Sequence, residues 1–438
     1  MFDLPKYGRG VCLARLTRLL AVLGVDRERL RRNSIVITGS NGKGSTAAFC
    51  AGIGRAAGLR TGLFTSPHLY RFSERFRIDG EPIGDAPLSA MMARVSEAIA
   101  EVSRKLADES FGAFEAQFAL ACLYFQEMDC RLAVFEAGIG GRYDPVRLVN
   151  AALTCVTSVD HEHVALLGDS LAFIVSDKSD ACAAGGTVVY GENCRPLRAH
   201  IAAYNRNRDV SALFVRDEIA IGRETVTAGH ARFDLQTGGR HLPALEIGLA
   251  GAFQINNAAV AATLFLLWAE RTSAITGADL DQATRSGLRQ TRWPGRLELI
   301  RPQPLTVIDV GHTPDGIAQA LRGLVEAYGA GDWILVTGVS HDKQADEIVR
   351  LLAPAFETII CTAAHHKGTP AEIIAAAARQ THPAADIREA ATIAEAAALA
   401  DRLASQGNRK IFVAGGLFVA IEFAATVHGQ DATELNFF

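Results

Sequence analysis

A lysine set between glycines and followed by two hydroxyls is the first group in this sequence that could do chemistry. Gly39, Ser40, Asn41, Gly42, Lys43, Gly44, Ser45 and Thr46 follow the apolar run Ile35, Val36, Ile37 and precede Ala47, Ala48, Phe49 and Cys50. Strand, glycine loop, lysine, hydroxyl and helix, in that order, wrap backbone N–H groups around an anion. The glycines let the main chain close on phosphates, the lysine adds a point charge, and the hydroxyl can reach Mg²⁺. The spacing is one residue shorter than in the usual phosphate loop. A bare turn between strand and helix would account for neither the lysine nor the hydroxyls.

Further along, the apolar stretch Cys130–Phe135 delivers Glu136, then Gly138, Gly140, Gly141 and Arg142. An acid at the carboxyl end of a strand beside the phosphate-loop strand is where a Mg²⁺ ligand is needed, though such a residue can also be a plain turn acid. An expected strand over 154–159 leads into Asp160, His161, Glu162 and His163. Two histidines and two acids invite a metal reading. The spacing alone equally suggests zinc, but no cysteine or third histidine stands nearby. Lys178 lies ten residues after Gly168, in a helix expected from about Asp169; taken alone it is a surface charge. Ser66, Pro67, His68 and Leu69 follow an expected strand over 60–65 and, by themselves, read as an ordinary turn. Glu115, near the start of a helix, could bind substrate or simply favour the helix N-terminus.

These groups need a scaffold, and the chain is long enough to supply one. At 438 residues, two domains, or three, are expected. Hydrophobic residues make up 49% and charged residues 21%, a soluble globular composition. A net charge of −4 and a pI near 6.3 argue against a nucleic-acid binder, and the cluster His365, His366, Lys367 is too short to change that. The eight cysteines, at 12, 50, 122, 130, 155, 182, 194 and 361, include no CxxC pair, so buried free thiols in a reducing cytoplasm are expected. The first residues lack the pattern of a secretory leader, and no apolar run is expected to reach membrane-spanning length. Helices are expected over 12–23, 88–106, from 111 through 125, and over 251–270, with a strand-rich stretch over 232–249. Strands at 306–309, 333–336, 357–361 and 410–413 alternate with helical stretches, the pattern of an α/β, doubly wound sheet.

In order and spacing these motifs resemble the folylpolyglutamate synthase/dihydrofolate synthase family of Mur-type ligases, over about residues 7–423. The matching residues are Gly39 to Thr46; Ser66 to Leu69 with Glu74 and Arg75; Phe114 and Glu115; Glu136 to Asp144; Glu162, His163, Leu167, Gly168 and Lys178; Gly251 to Ala259; Pro294 to Arg296; Asp309 to Pro314; Ser340 with Asp342 and Lys343; and Gly415 to Phe418. The resemblance implies an ATP-binding P-loop domain over about 1–290 and a smaller Rossmann-like amino-acid-binding domain over 291–438, with the active site between them. It implies ATP-dependent amide ligation: a carboxylate is activated as an acyl phosphate and joined to an amino acid, glutamate onto dihydropteroate or a folate. By resemblance, Gly39, Asn41, Gly42, Lys43, Gly44, Ser45 and Thr46 hold phosphates, while Gln254, Asn257, Arg296 and Asp309 contact nucleotide. Ser45, Ser66, Glu136, His163 and Lys178 are the implied Mg²⁺ positions, for two ions, with Lys178 carbamylated so that its charge suits a metal. Lys43, His163, Lys178 and Arg296 are the implied catalytic set. Glu115, Arg142, Asp144, His312 and Ser340 are the implied substrate-binding set. A monomer in the cytoplasm, acting on small molecules without nucleic acid or membrane, is the matching expectation.

The departures fall on one side of this pattern. Glu162 stands where the family has Asp, Phe253 where it has His, and Thr313 where it has Asn. The loop after Arg142 reads Tyr143, Asp144, Pro145, Val146, Arg147 instead of Leu-Asp-Ala-Thr-Asn, Gln117 and Phe118 replace Leu and Thr, and Lys367 stands near an expected Arg. Lysine is the poorer bidentate partner for a carboxylate. Phosphate and metal groups are kept while acceptor and amino-acid groups change. Two alternatives therefore stand beside folate: a ligase of the same mechanism for a non-folate, hydrophobic or differently shaped carboxylate, and an inactive nucleotide-binding homologue.

Overall fold

The computed structural model describes residues 4–5, 8, 10, 12–104, 110–341, 343, 345–435 and 437. Asp342 and the last two residues of the helix expected over 88–106 lie outside them. The chain is a mixed α/β structure built on three sheets.

The first sheet has eight strands in the order 81–82, 76–78, 61–64, 132–136, 34–38, 153–156, 187–190, 211–214. All pairings are parallel except those made by the two short strands 76–78 and 81–82. At its centre the phosphate-loop strand Ser34–Thr38 lies between Leu132–Glu136 and Leu153–Val156, with Ile37 opposite both Glu136 and Cys155. This register brings the carboxyl ends of three strands together, where an open α/β sheet binds ligands. Every residue of these strands is buried, so they read as continuous apolar runs rather than alternating ones. Glu136 is the last residue of its strand, not the first after it.

The second sheet is a three-stranded antiparallel meander over 220–247. Helix Ala252–Thr272 packs between it and the phosphate-loop helix Lys43–Ala56, sharing one apolar core with Phe49, Ile53, Phe233 and Leu245. One expectation needs correcting here. This 21-residue helix is long and apolar enough to cross a membrane by length and composition, yet 78% of its apolar window is buried inside the fold. Burial on all sides by a sheet and two helices explains its all-round hydrophobicity.

The third sheet has six strands in the order 298–302, 305–308, 410–414, 333–337, 358–362, 386–390. Its two faces are covered by separate apolar clusters. The expected strands are present within a residue or two. Strand Asp386–Ala390 escaped the sequence reading because it is an edge strand with Arg388 and Glu389 on a partly exposed surface.

The connector between the second and third sheets is seated on the phosphate-loop helix. A Cβ on Gly44 would lie 3.0 Å from the Trp293 indole nitrogen, and one on Gly52 would lie 2.2 Å from the Thr291 hydroxyl. The Arg77 guanidinium covers the Trp293 ring at 5.8 Å. All eight cysteines are buried and free.

Candidate active site

The phosphate loop is shaped by residues its own motif does not contain. Gly39 has φ +136°, and a Cβ there would lie 1.9 Å from the Thr157 hydroxyl, so no side chain fits. Gly42 is left-handed (φ +84°) and starts the Lys43–Ala56 helix; a Cβ there would meet the Asn257 amide oxygen at 2.5 Å. Thr157 donates from its hydroxyl to the Asn41 carbonyl at 2.5 Å, and the Ser158 hydroxyl accepts the Asn41 N–H at 2.8 Å. Thr157 and Ser158 follow the Leu153–Val156 strand, and only the strand order could have pointed to them.

Among the described residues, three buried polar groups in this region have no protein hydrogen-bond partner: the Ser45 and Thr46 hydroxyls and the Gln254 amide nitrogen. Native interiors rarely leave such groups unsatisfied, so their pattern fits a polar ligand. Lys43 Nζ donates to the Gly39 and Ser40 carbonyls at 2.8 and 3.0 Å. It therefore arches over the loop as a mobile cation would above a phosphate.

Glu136 and Ser66 meet at the neighbouring strand ends, the Ser66 N–H donating to Glu136 Oε2 at 3.0 Å. Burial pushes the Glu136 pKa up to about 7, against the pull of Lys43, the Ser66 N–H, Arg296 and Arg75. The Ser66–Leu69 turn is not ordinary. Glu74 accepts the N–H groups of Leu69, Tyr70 and Arg71, and buried Arg75 donates to His68 Nδ1 at 2.8 Å and to Gln117 Oε1 at 3.0 Å. Gln117, one of the departures from the family pattern, is therefore a partner of Arg75.

Lys178 is no surface lysine: its side chain is 1% exposed and its Nζ donates to Glu162 Oε1 at 2.5 Å. Burial lowers the Lys178 pKa, with Lys43 adding to the effect and Glu162 opposing it. Burial pushes Glu162 up, but Lys43 and Lys178 outweigh it and hold its pKa at about 2. His163 has a left-handed backbone (φ +47°) that leaves its ring exposed ahead of the short helix Val164–Leu167. Desolvation by the surrounding chain lowers its pKa, with Lys343, Lys43 and Lys178 adding to the effect and Glu162 opposing it.

The third-sheet unit adds Arg296 and His312. Arg296 feels both Asp309 and Glu136, which sets its guanidinium within electrostatic reach of the Glu136 carboxylate. His312 is solvent-accessible and is held neutral by the bulk around it and by Lys343, Arg296 and Lys43. Asn41 reaches the same unit through Thr313 and Asp315. Ser340 forms an isolated bridge with Gly368 beside Lys367, and the Lys343 N–H donates to the Ser340 carbonyl.

Four of the residues implied as ligand contacts are also bonded within the protein. Glu115 is buried, takes the Arg15 guanidinium with both oxygens at 2.7 Å and also accepts the Gly112 N–H; it is a structural pair and helix cap, because a buried carboxylate must be fully paired. Asp144 accepts from Gly138, Ile139 and Val146 and so shapes the glycine loop. Arg142 binds Asp180 Oδ2 at 2.6 Å and the Tyr204 hydroxyl. Asp309 uses one oxygen for the Leu297 N–H and the other for the Gly311 N–H. Asp177, which the sequence reading missed, accepts the Gly141 N–H at 2.8 Å and ties the loop to the helix of Lys178.

Among the described residues, no three His, Cys, Asp or Glu side chains form a ready-made metal cluster.

The Mur ligase, glutamate ligase domain family matches residues 295–417. Folylpolyglutamate synthase of Lacticaseibacillus casei is 31% identical over 416 residues, 95% of this chain and 94% of that one. A probable bifunctional folylpolyglutamate synthase/dihydropteroate synthase of Haloferax volcanii is 32% identical over 97% of this chain, but this chain spans about half, 49%, of its length. The Mycobacterium tuberculosis folylpolyglutamate synthase structure complexed with ADP and AMPPCP aligns with a TM-score of 0.86 at 28% identity, over 96% of both chains.

Proposed function

The chain belongs to the folylpolyglutamate synthase/dihydrofolate synthase family of Mur ligases, and on that premise we propose that it is an ATP-dependent ligase joining glutamate to the carboxylate of a folate-type acceptor. The observation that carries this reading is that Lys43, Glu136, Glu162, His163 and Lys178, from the loops, helices and strand end at the carboxyl edge of the first sheet, interact electrostatically with one another and, through Glu136, with Arg296, beside hydroxyls that have no protein partner among the described residues.

A carboxylate is a poor electrophile. Its oxygen attacks the γ-phosphorus of the substrate ATP, ADP departs, and the acyl phosphate then loses phosphate to the attacking amine. Transferring a phosphoryl group needs positioning and charge stabilisation more than covalent help. Lys43 and the loop N–H groups of 39–46 bind the phosphates, and Gln254 and Asn257 flank the nucleotide. Arg296 steadies negative charge on the transferred group. Ser45, Ser66 and Glu136 suit one Mg²⁺, and His163 with Lys178, if carbamylated, suits a second; bound Mg²⁺ supplies neutralisation of phosphate charge. His312, Ser340, Lys343 and Lys367 line the approach of the amino acid from the 291–438 domain. The chain acts as a monomer in this reading.

A second reading of the acceptor has one observation in its favour. Tyr143, in the altered loop, is 56% exposed, and Val164, Leu166 and Phe173 near His163 and Lys178 are exposed as well. An apolar lip beside the site suits a hydrophobic, non-folate carboxylate.

Phosphate release from ATP and Mg²⁺ tests both readings, with dihydropteroate, tetrahydrofolate and apolar carboxylates, each with and without glutamate. Release that needs a folate-type acceptor and glutamate supports the first reading. Release with another acceptor alone supports the second, and none with any acceptor despite ADP binding overturns the ligase assignment.

A further inference from the structure

Asn41, in the phosphate loop, is gripped from the third-sheet unit. The Thr313 hydroxyl donates to Asn41 Oδ1 at 3.0 Å, and Asn41 Nδ2 donates to Asp315 Oδ2 at 3.2 Å. The amide thus finds a donor for its oxygen and an acceptor for its nitrogen on one turn of chain. The same Thr313 hydroxyl accepts the Gly316 N–H at 3.0 Å and caps helix Pro314–Tyr328. One side chain both starts that helix and fastens it to the phosphate loop.

The helix is held again along its flank. Phe253, at the start of Ala252–Thr272, packs into the apolar cluster of Leu297, Ile317 and Leu324. A Cβ on Gly323 would lie 3.2 Å from its ring, so the missing side chain at Gly323 is what seats it. Phe253 and Thr313 are two of the positions where the chain departs from the family pattern, and both fall on this one contact. His312 and Asp309 precede the gripped turn directly, and Arg296 feels Asp309.

We propose that Thr313, Asp315 and Phe253 are positioning residues that latch helix 314–328 onto the phosphate loop and so set His312 and Arg296 against the bound phosphates. The kinetic part of the test rests on the ligase reading above; the scattering and binding parts do not.

The test compares Asp315→Ala, Thr313→Val and Thr313→Ser in the full chain by small-angle scattering, ADP calorimetry and steady-state kinetics with glutamate. Asp315→Ala and Thr313→Val should enlarge the radius of gyration and raise the KM for glutamate about tenfold, with ADP affinity within about threefold of the parent. Thr313→Ser, which keeps the hydroxyl, should behave as the parent does. Phe253→Leu, which shrinks the ring without adding a polar group, should give an intermediate opening. An unchanged radius and KM in Asp315→Ala would overturn the latch, as would a loss of ADP affinity as large as the rise in KM, since the residue would then act on the nucleotide. Failure of the parent itself to bind ADP would overturn the ligase reading and leave the scattering comparison to decide the latch.

Discussion

Glu162 Oε1 stands 2.5 Å from Lys178 Nζ, and the ammonium it faces is 1% exposed. Removing one partner of a buried pair leaves the other charge uncompensated, which costs roughly 3–5 kcal/mol. In protein whose Lys178 is uncarbamylated, Glu162→Gln should therefore lower the melting temperature by many degrees, whereas Glu162→Asp, which keeps the charge on a shorter arm, should lower it much less. Melting curves of the two variants side by side check this; equal curves would mean that the pair contributes nothing to the fold. The carbamate proposed at Lys178 is checked separately, by the carbon-13 signal of protein equilibrated with labelled bicarbonate and by its loss in Lys178→Ala.

Among the described residues, the Lys43 ammonium donates to two carbonyls of its own loop. Lys43→Ala should leave the fold intact, with a melting temperature close to that of the parent. Charge-assisted phosphate contacts are worth roughly 1.5–3 kcal/mol, so ADP affinity should fall on the order of 10- to 100-fold by calorimetry. Undiminished affinity would remove Lys43 from the phosphate site.

Glu136 carries a pKa raised by burial from 4.5 to about 7. Between those two values the folded chain binds more protons than the unfolded one, so this group's contribution to stability falls as pH rises, and the full cost is present above pH 7. Glu136→Gln should stabilise the fold, measured without Mg²⁺ or nucleotide, by on the order of 2–3 kcal/mol more at pH 8 than at pH 5, seen as a larger rise in melting temperature at the higher pH. The same protonation predicts that Mg²⁺ affinity of the parent declines as pH drops below 7. A pH-independent difference between parent and variant would contradict both.

Glu115 separates a structural from a substrate role. Its oxygens are engaged by Arg15 and by the Gly112 N–H. Glu115→Ala should destabilise by roughly 3–5 kcal/mol while leaving the acceptor KM of the folded fraction unchanged. A raised KM with unchanged stability would return Glu115 to the substrate site.

Tyr143 is 56% exposed on the altered loop. Tyr143→Ser should cost little stability, since exposed positions usually change it by less than about 0.5 kcal/mol. It should raise the KM for an apolar acceptor several-fold, leaving ADP affinity and the glutamate KM alone. No change in acceptor KM would disconnect the lip from the substrate.

The order and spacing of local motifs were enough to place the strand, glycine loop and helix over 34–56, an acid at the end of the 132–136 strand, and the strands of the two α/β sheets. Each rests on residues near one another in sequence: a glycine that must adopt φ +84° at Gly42, an apolar strand ending at Glu136, a helix started at Lys43. The all-apolar strands 34–38 and 132–136 were legible because parallel strands are buried on both faces.

Pairing across long separations was not legible, because it depends on strand order and packing rather than on any local pattern. Lys178 reads as a surface charge until helix 171–179 buries it against Glu162. Glu115 reads as open to substrate until Arg15, 100 residues earlier, closes on it. Thr157 and Ser158 acquire their role only because their strand lies beside the phosphate-loop strand, and Thr313 and Asp315 theirs only because a distant helix begins where Asn41 projects. The sequence determined which groups exist and what local geometry they adopt; tertiary packing decided which of them are free to meet a ligand, since a buried charge or hydroxyl must first satisfy its neighbours.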